Sequence, residues 1–272
     1  NTMADITSTG FVGIEGEQEM YQEKLQIKIT DIWLHEPTAE ELTDLLPSTR
    51  KNIDEMFTEV TALLHSLEHP AAKALGAAYL DDAQMMRDFR VAPAAMQLHH
   101  AWIGGLLEHT LQLMKLADGM LPNYPRLNRD IILLSLFIHD MGKVEELRWD
   151  RGFEYTREGN LIGHIARGAM WLQSKAKVAE ATLGESLPDG FLTVMQHIVL
   201  SHHGLLEHGA AKLPSTPEAI FVSQLDNLDA RTQMALDSAR PWVQTAVGDE
   251  AFTERMWSLN TKLYRRDPLK NA

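Results

Sequence analysis

The segment Asn128-Arg129-Asp130-Ile131-Ile132-Leu133-Leu134-Ser135-Leu136-Phe137-Ile138-His139-Asp140 constrains the fold most, because it opens on an N-cap residue and is then apolar on nearly every side. A helix without a polar face has to be surrounded, so other helices must cover it. Ile53, Met56, Phe57, Val60, Leu63, Leu64 and Leu67 supply one apolar stripe at helical spacing, ended near Pro70. A short helix is expected from 82 to 89, followed by a linker over 90–97 that contains Pro93. Further helices are expected from about 100 to 116, from Asn160 as N-cap to about 181, and from Pro188-Asp189 to the C-cap glycine Gly204. The last two run from Pro217 to before Pro241 and over 252–263. Gly152 to Tyr155 reads as a short hairpin or loop.

The N-terminal stretch differs in kind. Leu25-Gln26-Ile27-Lys28-Ile29-Thr30 alternates apolar and polar residues, which predicts a strand with one buried face, and Phe11-Val12-Gly13-Ile14 is a weaker strand. Two strands make no stable sheet alone, so they are expected to end a small β-module. Thr38 and Glu41 form a capping box for a short helix closed by Pro47. The chain divides into a β segment over 1–36, a helical connector over 37–95 and an all-α domain over 96–272.

Composition removes several kinds of function. The chain has no cysteine among its 272 residues, which excludes disulfides, zinc–thiolate sites and thiol nucleophiles. Its 25 basic and 38 acidic residues give a net charge of −13, which argues against a basic architectural nucleic-acid binder but leaves a local basic cleft open. No apolar run approaches the ~20 residues of a membrane span, and no signal peptide is visible at the N-terminus, so a soluble cytoplasmic protein without membrane contact is expected.

The histidines fall on the apolar stripes. Trp102, Leu106, His109, Leu113 and Leu116 share one; Leu161, His164, Ile165, Gly168 and Leu172 another; Phe191, Met195, Ile198 and His202 a third, with His203 one step round. Val222 and Asp226 share a side of the helix after Pro217, with Asp229 nearby, and His139-Asp140 closes the apolar helix. One inward histidine is ordinarily a hydrogen-bonded core residue, and an Asp at a helix end ordinarily caps or is solvated. Five helices each delivering one are another matter, since an unpaired buried carboxylate is costly unless it meets a cation. Imidazole and carboxylate are donors for borderline and hard divalent metals, so the set is read as a metal centre.

The order His109, His139-Asp140, Asp226 resembles the H…HD…D signature of HD-domain metal-dependent phosphohydrolases, and His139-Asp140-Met141-Gly142-Lys143 is similar to their HDxGK segment. His99-His100-Ala101-Trp102, Glu158-Gly159-Asn160-Leu161-Ile162-Gly163-His164, Leu200-Ser201-His202-His203-Gly204 and Asp226-Asn227-Leu228-Asp229-Ala230 resemble the YhaM-type 3′–5′ exoribonucleases, in which an OB-fold precedes the HD domain. The resemblance implies an HD-domain helical bundle over 96–272, with the β segment as the end of an OB-fold. It assigns His109, His139, Asp140 and Asp226 to one divalent ion. His164 and His202 complete a second site with Asp140 bridging, and His203 is the alternative to His202 or a phosphate contact; helical register favours His202.

Mn or Fe suits these donors best, and Co, Ni or Zn are compatible. Hydrolysis of a phosphodiester needs a nucleophilic hydroxide and stabilised phosphoryl charge, both supplied by divalent metals. Asp140 and Lys143 are the catalytic candidates, Lys143 neutralising phosphate or leaving-group charge; otherwise it is a cation at a helix C-terminus. His99 and His100 near the cleft mouth, with Asn160, Ser201 and Asn227, are the candidate substrate contacts. Asn160 is equally an N-cap, and Ser201 equally bonds back along its helix. Glu108, next to His109, either supports a ligand from behind, is a further metal ligand or is solvated, and Asp229 is taken as solvated or salt-bridged. Trp149, Phe153 and Tyr155 either stack on a base or pack their loop. The expected activity is release of nucleoside monophosphates from the 3′ end of single-stranded RNA or DNA. The alternatives are hydrolysis of a small nucleotide or cyclic dinucleotide, favoured by the acidic balance, and a non-catalytic nucleic-acid-binding module. Self-association into a homo-oligomer is left open.

Overall fold

A computed structural model describes residues 11–21, 24–38, 41, 45–96, 100–150, 152–241 and 251–269. Asn128 caps the apolar helix by accepting from the Ile131 amide at 3.1 Å, and the helix runs over Arg129–Ile138 (α5). Ile132, Leu133, Leu134, Leu136, Phe137 and Ile138 are all buried. Helices α1 (Ile53–His65), α2 (Pro70–Leu80), α4 (Gly105–Met120), α9 (Phe191–Ser201) and α10 (Pro217–Ala239) pack around it. Helix α3 (Ala83–Val91) adds Phe89, which with Tyr79 meets the Phe137 ring edge-on at 5.6 and 6.0 Å. The stretch 37–95, expected as a connector, thus puts α1–α3 into the same core. Asp130, an acid in the first turn of α5, accepts the amides of Glu68 and His69 at 2.8 and 2.6 Å and fixes the α1–α2 turn.

Between α5 and α9 lie a short α6 (Lys143–Glu146), the hairpin strands β3 (Leu147–Arg148) and β4 (Glu154–Tyr155), then α7 (Arg157–Leu161) and α8 (Gly163–Leu183). Helix α8 packs on α2 and α9. The single helix expected from Asn160 is therefore two: Gly163 sits at φ +74, a conformation that ends a helix, and Leu161 before it is exposed rather than on the core stripe. The N-cap is Thr156, which accepts from the Gly159 amide.

Strands β1 (Phe11–Tyr21) and β2 (Lys24–His35) form an antiparallel ribbon with a bulge at Glu15/Gly16. The alternation of Leu25, Ile27 and Ile29 does make a strand, but these side chains are 65%, 55% and 52% exposed, so the expected buried face has no cover among the described residues. No barrel forms among those residues. The Thr38–Glu41 capping box is present in both directions. Residues 252–263 are not a helix. Their amides bond across the segment, Thr253 to the Leu263 carbonyl and Met256 to that of Thr261, and Asn260 takes the left-handed turn at φ +56.

Candidate metal centre

Helix ends and a close backbone contact bring the candidate ligands together. His139 is the C-cap of α5, and Asp140 follows it into the turn toward α6. A Cβ on Gly142 would lie 2.2 Å from the His164 carbonyl oxygen, so glycine there lets the start of α8 touch the turn after α5. Helix α4 starts later than its sequence suggests: His100 adopts φ 52 and Gly104 φ +79, so 100–104 is a turn; the helix ends at Met120, between Gly119 and Pro122 where a stop is expected. His109 lies in its second turn, buried.

Each inward histidine is held from behind through Nδ1. His139 donates to the Leu136 carbonyl at 2.7 Å, His202 to the Val199 carbonyl at 2.7 Å and His203 to the His208 carbonyl at 2.8 Å. His109 donates to Asp229 Oδ2 at 2.7 Å and His164 to Glu146 Oε1 at 2.9 Å. A proton on Nδ1 leaves the Nε2 lone pair as the only free donor to a metal, the arrangement that outer partners impose on ligating histidines.

The Nε2 atoms converge on two carboxylates. Asp140 Oδ2 lies 3.8 Å from His109 Nε2 and 3.4 Å from His139 Nε2, while Asp226 Oδ1 lies 3.2 and 4.0 Å from the same nitrogens. On the other side, Asp140 Oδ1 lies 3.5 Å from His164 Nε2 and 3.4 Å from His202 Nε2. Donors bonded to one ion at about 2.1 Å sit about 3.0–3.4 Å apart, so these spacings need only slight contraction. His139 Nε2, Asp140 Oδ1, His164 Nε2 and His202 Nε2 are buried with no hydrogen-bond partner. Buried polar atoms are normally satisfied, and four orphans gathered around the two oxygens of Asp140 are the donor types that divalent cations take. Among the described residues three donor groups are distinguishable: His109, His139 and Asp226; Asp140, His164, His202 and His203; and, behind His109, His100, His109 and Asp229. The two histidines weighed as alternatives, His202 and His203, thus stand together, their rings 4.3 Å apart.

The charges agree. Burial disfavours a charged His109, but the carboxylates of Asp226 and Asp229 outweigh it and raise its pKa to about 9; positive charge is favoured at this point. Burial alone would raise Asp140, yet Lys143 and His139 hold its carboxyl well below the usual range. Asp226 is held down against burial by His109. Burial pushes His203 down to about 3, helped by His202 and His164, and it pushes His202 down despite Asp140, so both offer neutral imidazole. Lys143, in the first turn of α6 rather than at a helix C-terminus, lies 2.7 Å from Asp140 Oδ2.

The candidate substrate contacts are scattered. His100 is not at a cleft mouth: it is buried, with Nε2 3.2 Å from Asp229 Oδ2 and its ring 5.4 Å from that of His109. Ser201 is fully buried and donates to the His197 carbonyl at 2.7 Å, so its hydroxyl belongs to its own helix. Asn160 is exposed in α7, its Nδ2 donating to the Thr156 carbonyl, and Asn227 is exposed beside Asp226. His99 lies outside the described residues. Glu108 is neither a ligand nor solvated: it accepts from Thr49, Trp102 and Lys51, tying the segment before α1 to α4. Trp149 packs against the core, and Tyr155 is exposed.

One acid was read only in part and another was missed. Asp229, taken as solvated or salt-bridged, is the second of these: it is buried and pairs with His109 and His100, and it also accepts from Gln112. Its signal is the spacing of seven from Val222, which puts it on the apolar side of α10. Glu146 carries no comparable pattern; it accepts from both the ring and the amide of His164.

The sequence profile of the HD domain family matches residues 106–231, the span that holds every donor above. The 3′–5′ exoribonuclease YhaM of Geobacillus sp. (strain WCH70) is 34% identical over 257 residues, 93% of this chain and 74% of that protein. The 3′–5′ exoribonuclease YhaM of Listeria innocua serovar 6a is 33% identical over 257 residues, and that of Bacillus subtilis (strain 168) 30% over 260 residues; in both pairs the alignment covers 93% of this chain and 77% of the relative. No solved structure matches the chain.

Proposed function

Since this chain belongs to the YhaM-type 3′–5′ exoribonuclease family of HD-domain proteins, we propose that it hydrolyses single-stranded RNA from the 3′ end, releasing nucleoside monophosphates, with two divalent ions at the centre between α4, α5, α8, α9 and α10. His109, His139, Asp140 and Asp226 would hold one ion. His164, His202 and His203 would hold the other, with the second oxygen of Asp140. When bound, the ions supply charge stabilisation and an ionisable water at neutral pH. Mn or Fe suits a donor set of imidazoles and carboxylates.

The protein's own groups do the rest. Asp140 bridges the two halves, one oxygen facing each. Lys143, partly buried and charged beside Asp140, compensates negative charge developing on the phosphate or the leaving oxygen. The Nδ1 bonds keep the rings from rotating, so little reorganisation is needed when substrate arrives. Asn227 and Asn160, both exposed, are the proposed substrate contacts; Ser201 and His100 are not.

The observation that carries this reading is the convergence of buried, unpartnered Nε2 and carboxylate atoms whose rings are locked from behind. Purified protein with Mn²⁺ should shorten a 5′-labelled single-stranded RNA to a ladder and free mononucleotides, and Asp140→Asn should abolish it. Hydrolysis of mononucleotides or cyclic dinucleotides with no action on oligonucleotides would overturn the proposed substrate. RNA binding by a protein that hydrolyses none of them would overturn the catalytic reading.

A further inference from the structure

The C-terminal segment reverses the charge of the chain. Against an overall excess of acid, residues 251–269 carry Arg255, Lys262, Arg265 and Arg266 but only Glu254 and Asp267. The same short segment exposes three aromatic rings: Trp257 at 80%, Phe252 at 51% and Tyr264 at 47%. Phe252 and Tyr264 sit together, ring centroids 5.3 Å apart, and Trp257 is open to solvent. Exposed rings interleaved with cations make a surface for stacked bases and phosphates rather than for another acidic surface.

The segment lies on the helix that carries a metal-centre acid. Leu259, Leu263 and Tyr264 close a groove of about 440 Å³ against Ala235, Leu236 and Ala239 of α10. Arg240 ties the two together by donating to the Arg266 carbonyl at 3.5 Å. Arg231 and Arg240, both exposed, line the same groove from α10. Asn227 and Arg231 are one helical turn apart, so an exposed polar stripe runs from beside Asp226 toward the groove. At 1.5 Å per residue, Arg231 is about 7.5 Å and Arg240 about 21 Å along the axis from Asp226, a reach of several nucleotides.

We propose that this segment and the adjoining face of α10 form a docking strip for the single-stranded RNA that lies 5′ to the scissile bond, Trp257 and the Phe252–Tyr264 pair stacking on bases and Arg231, Arg266 and Lys262 meeting phosphates. The inference rests on the exoribonuclease reading for its ligand and deepens it: a long substrate is held along α10 while its 3′ end is at the metal centre.

The test compares an oligo(A) of about 20 nucleotides with a dinucleotide too short to reach the strip. Trp257→Ala, which removes a ring that is mostly in solvent, should keep the melting temperature. It should lower the ratio of kcat/KM for the long RNA to that for the dinucleotide about 5–150-fold, since a base–aromatic stack contributes about 1–3 kcal/mol. Anisotropy with a 3′-phosphorothioate-protected oligo(A), which needs no turnover, should show the same weakening. Lys262→Ala should reduce the slope of log affinity against log salt by about 1. An unchanged ratio with unchanged affinity overturns the strip, and a Trp257→Ala variant that changes the sedimenting mass instead marks the surface as a contact between copies, which also overturns it. If the wild type binds the protected RNA and Trp257→Ala weakens it but no RNA is hydrolysed, only the activity reading fails. If RNA is degraded with the ratio intact, only the strip fails.

Discussion

Removing Asp229 isolates what the partner behind a ligand contributes. Its Oδ2 accepts the Nδ1 proton of His109 at 2.7 Å and meets His100 Nε2 at 3.2 Å, both buried, and its Oδ1 accepts from the half-buried Gln112. In Asp229→Ala the His109 ring loses the acceptor that fixes its tautomer, and the proton can move to the nitrogen that faces the centre. Outer partners of ligating histidines typically govern 10–100-fold in metal affinity, equivalent to about 1.4–2.7 kcal/mol. Three donors are also left in the interior, each costing about 1–3 kcal/mol if it finds no water. Mn²⁺ titrated calorimetrically into metal-stripped protein should therefore bind Asp229→Ala about 10–100-fold more weakly, and the stripped variant should melt lower than stripped wild type. Asp229→Asn keeps an oxygen for the Nδ1 proton and should lose less than about tenfold. Wild-type affinity in a folded Asp229→Ala protein would refute the reasoning, as would equal losses in the two variants, because then the acceptor is not what matters.

Other perturbations reach the site or the frame by independent routes. Metal at 100 times its Kd should stabilise the fold by about 2.7 kcal/mol and raise the melting temperature by about 5–10 °C over an EDTA-treated sample; a null shift in differential scanning calorimetry counts against the centre. Gly142→Ala drives a methyl into the His164 carbonyl, with only 2.2 Å available, so Mn²⁺ affinity should fall at least tenfold while far-UV circular dichroism keeps its helical signal. Asp82 caps α3 and takes the Lys175 ammonium at 2.9 Å, and the lysine and the Met85 amide hold its carboxyl below the ordinary 3.8. Because the folded pKa is the lower one, this stabilisation is complete above about pH 4 and is lost as the pH falls through the depressed value. Urea melts of wild type and Asp82→Asn should differ by under about 1 kcal/mol near neutrality and converge in acid; a gap that widens below pH 4 reverses the sign and contradicts the assignment.

The centre was legible where helical register alone decides which way a side chain points. His109 and Asp226 come from regular helices and His202 caps one while keeping helical dihedrals, and an apolar stripe at 3.6-residue spacing leaves little freedom. His139 and Asp140 were legible because a helix with no polar face must end in the core. The register failed at Leu161, where Gly163 resets the chain by a left-handed residue; His164 faces the centre because it starts a new helix, not because it continues an old stripe. His100 was misplaced for a similar reason. Its φ of 52 and that of Gly104 turn the chain back before α4, which buries the ring behind His109. Asp229 was left between solvated and salt-bridged because an acid is solvated by default, and only tertiary contacts, here with His109 and His100, decide for the pair. The strand alternation of 25–30 predicted conformation correctly but not burial, since a face is buried only if something lies on it. The tail over 252–263 has no strong helical stripe, and cross-segment bonds through Thr253 and Thr261 prevail.

Anomalous diffraction at the manganese edge, on crystals grown with Mn²⁺, tests the central claim most directly. The account predicts density at one or two positions about 2.0–2.3 Å from the Nε2 atoms of His109 and His139 and of His164 and His202, with Asp140 touching both. Anomalous peaks only at surface carboxylates, with those four nitrogens still facing one another and no ion among them, would contradict it.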